Sequence, residues 1–132
     1  MRIVADTNVF ISSIVFGGKP RDVINLIADD EVTLVTAEAL ITEIRQVIIN
    51  KFPEFIQDLS RVEKLLEQDA EWMKLGFKSV AVSRDPKDDK FIETALIRDC
   101  LYIVSGDKDL LDIKEYDGIK IVKPAEFLKL FS

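Results

Sequence analysis

The sequence predicts an α/β fold, a three-layer α/β/α sandwich around a central, mostly parallel five-stranded sheet. Short runs rich in β-branched residues alternate along the chain with amphipathic helical stretches. Strands joined through helices form parallel sheets with right-handed crossovers. No repeat, linker or low-complexity tract interrupts the 132 residues, so we expect one domain over residues 1–132.

The first half of the chain predicts two strands and four helices. The strands are short and apolar, at residues 2–6 and 32–37. The first helix covers residues 8–16 and ends at Gly17 and Gly18, and the second begins at Pro20 and covers residues 20–30. Residues 37–52 carry an apolar stripe at helical spacing. After Pro53, residues 54–73 predict a further helix.

The second half predicts three strands, at residues 79–83, 101–105 and 119–122. A turn over residues 84–89 leads into a helix at residues 89–99, and residues 106–112 predict a turn with a short helical piece. The last helix begins at Pro124 and covers residues 124–131.

The composition excludes several kinds of chemistry. The chain has no histidine and a single cysteine, Cys100, which excludes a Ser-His-Asp triad and disfavours a zinc centre. No signal-peptide pattern or membrane-length apolar run occurs, so we expect a cytoplasmic protein. The net charge of −6 weighs mildly against a polyanion partner but does not describe the local field at a site.

Acidic residues follow two of the predicted strands. Asp6 ends the first, and Ser105, Asp107 and Asp109 lie just past the fourth. Because the carboxyl ends of parallel strands meet at one edge of the sheet, both groups are expected there. Taken alone, Asp6 is equally well explained as a helix cap and Asp107 better explained as a turn residue.

Two helices add carboxylates. Glu43 lies on the border of an apolar stripe, a position more typical of a solvated flank, and Asp88 lies on the inward face of its helix, where it could equally be a cap. Asp89 points about 100° away from Asp88. If the four acids Asp6, Glu43, Asp88 and Asp107 share one location, they repel one another. No basic residue is predicted to face inward near them, so the pattern favours a hard divalent cation, Mg²⁺ or Mn²⁺.

Four segments in this order resemble the PIN-domain family, in particular its toxin components of toxin–antitoxin systems. They are ADTNVFISSIVFGGKPRDVINLI, VTAEALITEI, DPKDDKFIETAL and YIVSGDKDLLDI followed by IKIVKPAEFLKLF. The resemblance implies a Mg²⁺- or Mn²⁺-dependent ribonuclease that cleaves single-stranded RNA. It also implies an antitoxin protein as a possible partner, and a homodimer.

By that resemblance, the catalytic acids are Asp6, Glu43, Asp88 and Asp107. Asp6, Asp88 and Asp107 bind the metal, and Asp89 competes with Asp88 for the third place. Thr7, Asn8 and Ser105 match small polar residues that steady the ligands; Ser105 stands where threonine is commoner. Apart from the resemblance, exposed lysines near the strand edge, such as Lys87, Lys90 and Lys108, are candidates for binding the RNA backbone, although each is at least as well explained as an ordinary surface lysine.

Two other classes of function remain open on the sequence. One is a non-catalytic interaction or RNA-binding module with the same fold. The other is a receiver-like phosphoacceptor domain, which also has acids at strand ends and a Lys-Pro pair after its last strand. A receiver fits less well, because the first strand ends in one acid and two consecutive long helices interrupt the strand–helix alternation.

Overall fold

A computed structural model describes residues 1–75 and 88–131. The strands are β1 (Arg2–Ala5), β2 (Thr33–Ala37), β3 (Glu71–Met73), β4 (Tyr102–Val104), β5 (Glu115–Tyr116) and β6 (Ile119–Val122). The helices are α1 (Thr7–Val15), α2 (Gly18–Ala28), α3 (Glu38–Lys51), α4 (Ile56–Asp69), α5 (Asp89–Ile97), α6 (Lys108–Leu111) and α7 (Pro124–Leu128). Short 3₁₀ turns at Pro53–Phe55 and Lys129–Phe131 precede α4 and follow α7.

The sheet confirms the predicted α/β class. Its strand order is β3-β2-β1-β4-β6-β5, and every pairing is parallel except that of β5 with β6. Strand β1 lies in the middle, with Ile3 paired to Leu34 of β2 on one side and to Tyr102 of β4 on the other. Five strands therefore run in the same direction, and their carboxyl ends lie at one edge of the sheet. They are β1, β2, β3, β4 and β6.

Both faces of the sheet are covered by apolar side chains. Ile3 and Ala5 of β1 belong to a core cluster shared with α1, α2, α3, α4 and α7, whereas Val4 belongs to a second cluster with α5. This alternation is the period-2 arrangement of a strand buried on both sides. The three layers predicted from the sequence are therefore present.

The structure differs from the prediction over residues 54–73. The predicted single helix ends at Asp69, Ala70 is extended (φ −89°, ψ 152°), and Glu71–Met73 pairs with β2. The indole Nε1 of Trp72 donates a hydrogen bond to the Leu66 carbonyl (2.9 Å), which fixes the reversal from helix to strand. Pairing with the open edge of β2 outweighs the helical preference of these residues.

The number of strands also differs from the five predicted. The described residues form six, because Glu71–Met73 and Glu115–Tyr116 were not predicted. The predicted strand at residues 79–83 lies outside the described residues. Strands β5 and β6 form a hairpin whose turn is Asp117 (φ 51°) and Gly118 (φ 83°). Two consecutive positive φ angles are the signature of a type I′ turn, which Asp-Gly favours.

The apolar segments of the chain are all short. Within residues 1–75 and 88–131, no helix has both the length and the hydropathy that a membrane crossing requires.

Candidate metal centre

The candidate site lies where the chain leaves β1 and β4. Helix α1, which follows β1, packs on one face of the sheet, and α6, which follows β4, contributes Leu110 to the core on the other face. Neighbouring strands whose following helices diverge to opposite faces leave a crevice at their carboxyl ends, and ligands of open α/β sheets bind in such crevices.

Asp6 is the most buried acid of this crevice, with 3 % of its surface exposed. Its Oδ1 accepts a hydrogen bond from the Val9 amide (2.9 Å), so it caps α1 as one of the two sequence interpretations proposed. Its own amide donates to the Val104 carbonyl at the end of β4 (3.0 Å). Capping therefore uses one carboxylate oxygen and leaves Oδ2 directed at other partners.

Ser105 links the ends of the two strands. Its hydroxyl is fully buried and donates to Asp6 Oδ2, while Ser105 Oγ accepts a hydrogen bond from the Asp107 amide (2.9 Å). Asp107 in turn caps α6, with its Oδ2 accepting from the Leu110 amide (3.3 Å). A continuous hydrogen-bonded chain thus joins Asp6, Ser105 and Asp107, three of the residues selected from the sequence.

The electrostatics of Asp6 are dominated by its burial. Burial raises the pKa of Asp6 above its ordinary value of 3.8, and the nearby carboxylate of Asp107 raises that pKa further. Hydrogen bonds from Ser105 and from the backbone amides of Val9 and Gly106 lower the pKa, but the net shift is upward. The hydrogen bonds around Asp6 therefore do not fully offset the effect of its burial on the pKa.

A second group of carboxylates meets at Asp107. Asp88, Asp107 and Asp109 each offer one oxygen, and these oxygens lie within 4.8 Å of one another. Asp88 directly precedes α5, and Asp109 lies in the first turn of α6. All three side chains are partly buried. Among the described residues this is a group of acids with the spacing of metal ligands, and its chemistry is all-oxygen, as hard cations prefer.

Asp109 was not selected from the sequence as a ligand. The sequence shows Asp107 and Asp109 two residues apart. Residues at this spacing share a face on a strand but not in a helical turn, so the spacing alone did not predict that their carboxylates meet. Only the conformation after β4, an extended cap followed by one helical turn, brings both oxygens to Asp88. Asp88, and not its competitor Asp89, belongs to this group.

Glu43 does not lie in the group of three carboxylates. It projects from α3 and forms an ion pair with the ammonium group of Lys90 on α5. The expectation that no basic residue faces inward near the acids was therefore wrong. Lys90 lies in the first turn of α5, and the helical spacing alone did not reveal that its ammonium group pairs with a residue of α3.

The remaining predicted residues occupy varied positions. Thr7 is buried, and its Oγ1 has no hydrogen-bond partner among the described residues. Asn8 is exposed, and Asp89 is half-buried at the start of α5. Lys108 is exposed beside Asp107, and Lys87 lies outside the described residues.

Sequence comparison agrees with this architecture. The PIN domain family matches residues 2–109, which run from β1 into the first turn of α6 and include every acid of the crevice. The chain belongs to the PIN domain family. Domains of this family are generally nucleases that depend on divalent metal ions, and the fold and the oxygen-rich crevice described above agree with such a function.

A curated relative aligns with almost the whole of this chain. The uncharacterized protein MJ1680 of Methanocaldococcus jannaschii is 27 % identical over 151 aligned positions, which cover 99 % of this chain and 92 % of the relative. The similarity therefore includes the segments before and after the crevice, but the relative's name assigns no activity.

Proposed function

We propose that this protein is a Mg²⁺- or Mn²⁺-dependent endoribonuclease that hydrolyses phosphodiester bonds of single-stranded RNA. The observation that carries the proposal is the convergence of Asp88, Asp107 and Asp109, joined to the buried Asp6 through Ser105. Membership of a family of metal-dependent nucleases supports the reaction class, and the resemblance to toxin ribonucleases supports RNA as the substrate.

The residues present fit a divalent cation. Carboxylate oxygens within 4.8 Å of one another repel by roughly 3 kcal/mol or more for each pair at an effective dielectric constant of about 20. Bringing three together is therefore unfavourable unless positive charge joins them. Burial is the main cause of the raised pKa of Asp6, and the nearby carboxylate of Asp107 adds to it, so a cation at this place would also favour the charged form of Asp6.

Asp88 and Asp107 would hold the cation, with Asp109 and Asp6 as further oxygen donors. A bound cation supplies Lewis-acid stabilisation of the phosphoryl oxygens and lowers the pKa of a water molecule so that it becomes nucleophilic at neutral pH. The role of Ser105 is to hold Asp6 and Asp107 in a fixed relation by its two hydrogen bonds. The caps that Asp6 and Asp107 make with α1 and α6 fix the orientation of each carboxylate.

The proposed biological setting is a toxin–antitoxin pair, in which this chain is the toxin, acts as a homodimer in the cytoplasm and is neutralised by an antitoxin protein. The resemblance to toxin components supports this setting. Growth arrest on induced expression, relieved by an Asp107→Asn substitution, is the expected behaviour of such a toxin. Normal growth at a confirmed level of active protein would contradict the toxin role while leaving the nuclease intact.

The activity is tested with end-labelled single-stranded RNA in the presence of Mn²⁺ or Mg²⁺, and again after addition of EDTA. Wild-type protein should cleave the RNA only with the metal, and Asp107→Asn should reduce the rate at least 100-fold. The matched control is Asp117→Asn in the β5–β6 turn, which lies before the amino end of β6 and so at the opposite edge of the sheet. Cleavage that survives EDTA, or equal loss in both variants, would refute the proposal.

A further inference from the structure

A groove separate from the group of carboxylates lies between α6, the β5–β6 hairpin and α7. Its volume is about 510 Å³, and Leu111 of α6 together with Ile121 and Val122 of β6 forms the apolar part of its lining. Helices α6 and α7 lie on opposite faces of the sheet, because Leu110 packs in one core cluster and Phe127 in the other. The groove therefore lies along the edge of β6, and we term it the β6 groove.

Backbone hydrogen bonds place the β6 groove next to the candidate metal centre. The Ser105 amide donates to the Val122 carbonyl (2.9 Å), and Lys123 follows Val122 in the chain. Ser105 is also the residue whose hydroxyl accepts from the Asp107 amide. On α6, the Leu111 amide donates to the Asp107 carbonyl (2.9 Å). Two residues that line the groove are thus direct backbone partners of residues at the metal centre, so a nucleic-acid strand bound there has this groove beside it.

The charged residues of the β6 groove favour an anionic ligand. Lys114, Lys120 and Lys123 line it together with Glu115 and Glu126, which is a surplus of one positive charge in a chain whose net charge is −6. All five residues are exposed. Within residues 1–75 and 88–131, none of the three lysines forms an ion pair, although Glu115 lies opposite Lys120 in the hairpin. Their ammonium groups are therefore available to phosphate oxygens.

Protection of the sheet edge explains only some of these lysines. Lysine on an edge strand prevents association between sheets, and Lys120 lies on β6, whose partner β5 is only two residues long. Lys123 lies beyond β6 at the N-cap of α7 and makes no side-chain capping hydrogen bond. The positive end of a helix dipole disfavours a cation there. Lys123 therefore has no evident structural role at the end of the groove closest to Ser105.

We propose that the β6 groove binds the sugar-phosphate backbone of the RNA on one side of the scissile bond, through the ammonium groups of Lys114, Lys120 and Lys123. This proposal rests on the ribonuclease function proposed above and names a second surface that contacts the same substrate. Contacts to phosphates position a nucleic acid without reading its sequence. The groove therefore strengthens RNA binding and does not select the sequence that is cleaved.

The experiment measures the affinity for a labelled single-stranded RNA by fluorescence anisotropy in EDTA, a condition in which the proposed nuclease does not cut. Lys120→Gln and Lys123→Gln should each weaken binding about fivefold at about 0.1 M salt and reduce the slope of log Kd against log salt by about 0.7, the value for one phosphate contact on a single strand. The matched control is Lys64→Gln. Lys64 is exposed on α4, which leads into β3 at the other edge of the sheet, and its loss should change Kd by less than about twofold.

Glu126→Gln adds a test whose expected result a folding defect cannot produce. Glu126 is exposed on α7 and lines the β6 groove, so removal of its charge should tighten RNA binding about twofold. Cleavage with Mn²⁺ is then measured on a long single-stranded RNA. Lys120→Gln and Lys123→Gln should raise KM by about the same factor as Kd, while the Mn²⁺ affinity measured by calorimetry without RNA should change by less than about twofold.

The outcomes separate this proposal from the proposed function. If wild-type protein cleaves RNA but the two lysine variants keep its Kd and salt slope, or Lys64→Gln weakens binding as much as they do, the groove is not an RNA site and the ribonuclease function stands. If wild-type protein binds RNA through these lysines but does not cleave it with Mn²⁺, the groove stands and the ribonuclease function fails. Protein that neither binds nor cleaves RNA would refute both.

Discussion

Replacing Ser105 by alanine should destabilise the protein well beyond what the loss of one small hydroxyl suggests. Ser105 is fully buried and makes two hydrogen bonds, one to the carboxylate of Asp6 and one from the Asp107 amide. Alanine leaves a buried carboxylate oxygen and a backbone N–H without that partner. The substitution therefore removes the contact that joins the carboxyl ends of β1 and β4 at the site.

The size of the effect follows from the two contacts. A hydrogen bond to a charged group contributes about 1.5–3 kcal/mol and a neutral one about 0.5–1.5 kcal/mol, so Ser105→Ala should lower the free energy of unfolding by about 2–4 kcal/mol. At about 4 °C per kcal/mol for a domain of this size, the melting temperature should fall by about 8–16 °C. Ser105 lowers the pKa of Asp6, so the loss should diminish at acidic pH, where Asp6 is protonated.

The assay is urea unfolding followed by the fluorescence of Trp72, the only tryptophan in the chain. Ser13→Ala is the matched control, because Ser13 is also buried but its hydroxyl donates only to the neutral Phe10 carbonyl within α1 (2.7 Å). It should cost less than about 1 kcal/mol. Equal losses in the two variants at neutral pH, with unchanged m-values, would refute the hydrogen-bonded chain as the element that joins the strand ends.

Three further predictions concern single groups. Asp6→Asn should stabilise the metal-free protein at neutral pH. Because burial raises the pKa of Asp6 above 3.8, the folded wild-type protein binds more protons than its unfolded chain. The stability of the wild type therefore falls as the pH rises from about 3.8 through the folded-state pKa. Urea titrations should show the two proteins converging below that window, and a wild-type protein more stable than Asp6→Asn at pH 7 without metal would contradict the sign. Thr7→Val should raise the free energy of unfolding by about 1 kcal/mol, since the buried Oγ1 lacks a hydrogen-bond partner among the described residues; a loss of that size would mean that the hydroxyl is satisfied. Burial, helped by the charge of Glu71, raises the pKa of Cys100 to about 12, so a disulfide reagent at pH 8 should label the thiol rapidly only after unfolding, and equal rates in folded and unfolded protein would contradict its burial.

Most of the sheet could be predicted because its strands are recognisable from their amino-acid composition. The runs that become β1, β2, β4 and β6 are short and β-branched, and the structure places them as expected within one residue. The two short strands β3 and β5 were not predicted, for different reasons. Glu71–Met73 continues a helical pattern and becomes a strand only because β2 has an open edge. The hairpin strand at Glu115 and Tyr116 carried a usable signal, the Asp-Gly pair that follows it.

The residues of the candidate site also divide into those that could be predicted from the sequence and those that could not. Asp6 and Asp107 could be predicted because parallel strands bring their carboxyl ends to one edge, a consequence of topology alone. The partnership of Lys90 with Glu43 could not, because it depends on how a flexible four-carbon side chain crosses between two helices. Asp109 joins Asp88 and Asp107 only through the conformation of one helical turn. Strand order thus predicts Asp6 and Asp107, and the helical period predicts Asp88, whereas the position of Asp109 and the partner of Lys90 depend on local conformation that the sequence pattern does not give.

The most direct test of a metal centre at the ends of β1 and β4 is a crystal structure of the protein with Mn²⁺, with anomalous scattering data collected to locate the metal. The account predicts an anomalous peak coordinated by carboxylate oxygens of Asp88 and Asp107. Saturating Mn²⁺ with no peak in this crevice, or a peak bound elsewhere on the chain, would contradict it.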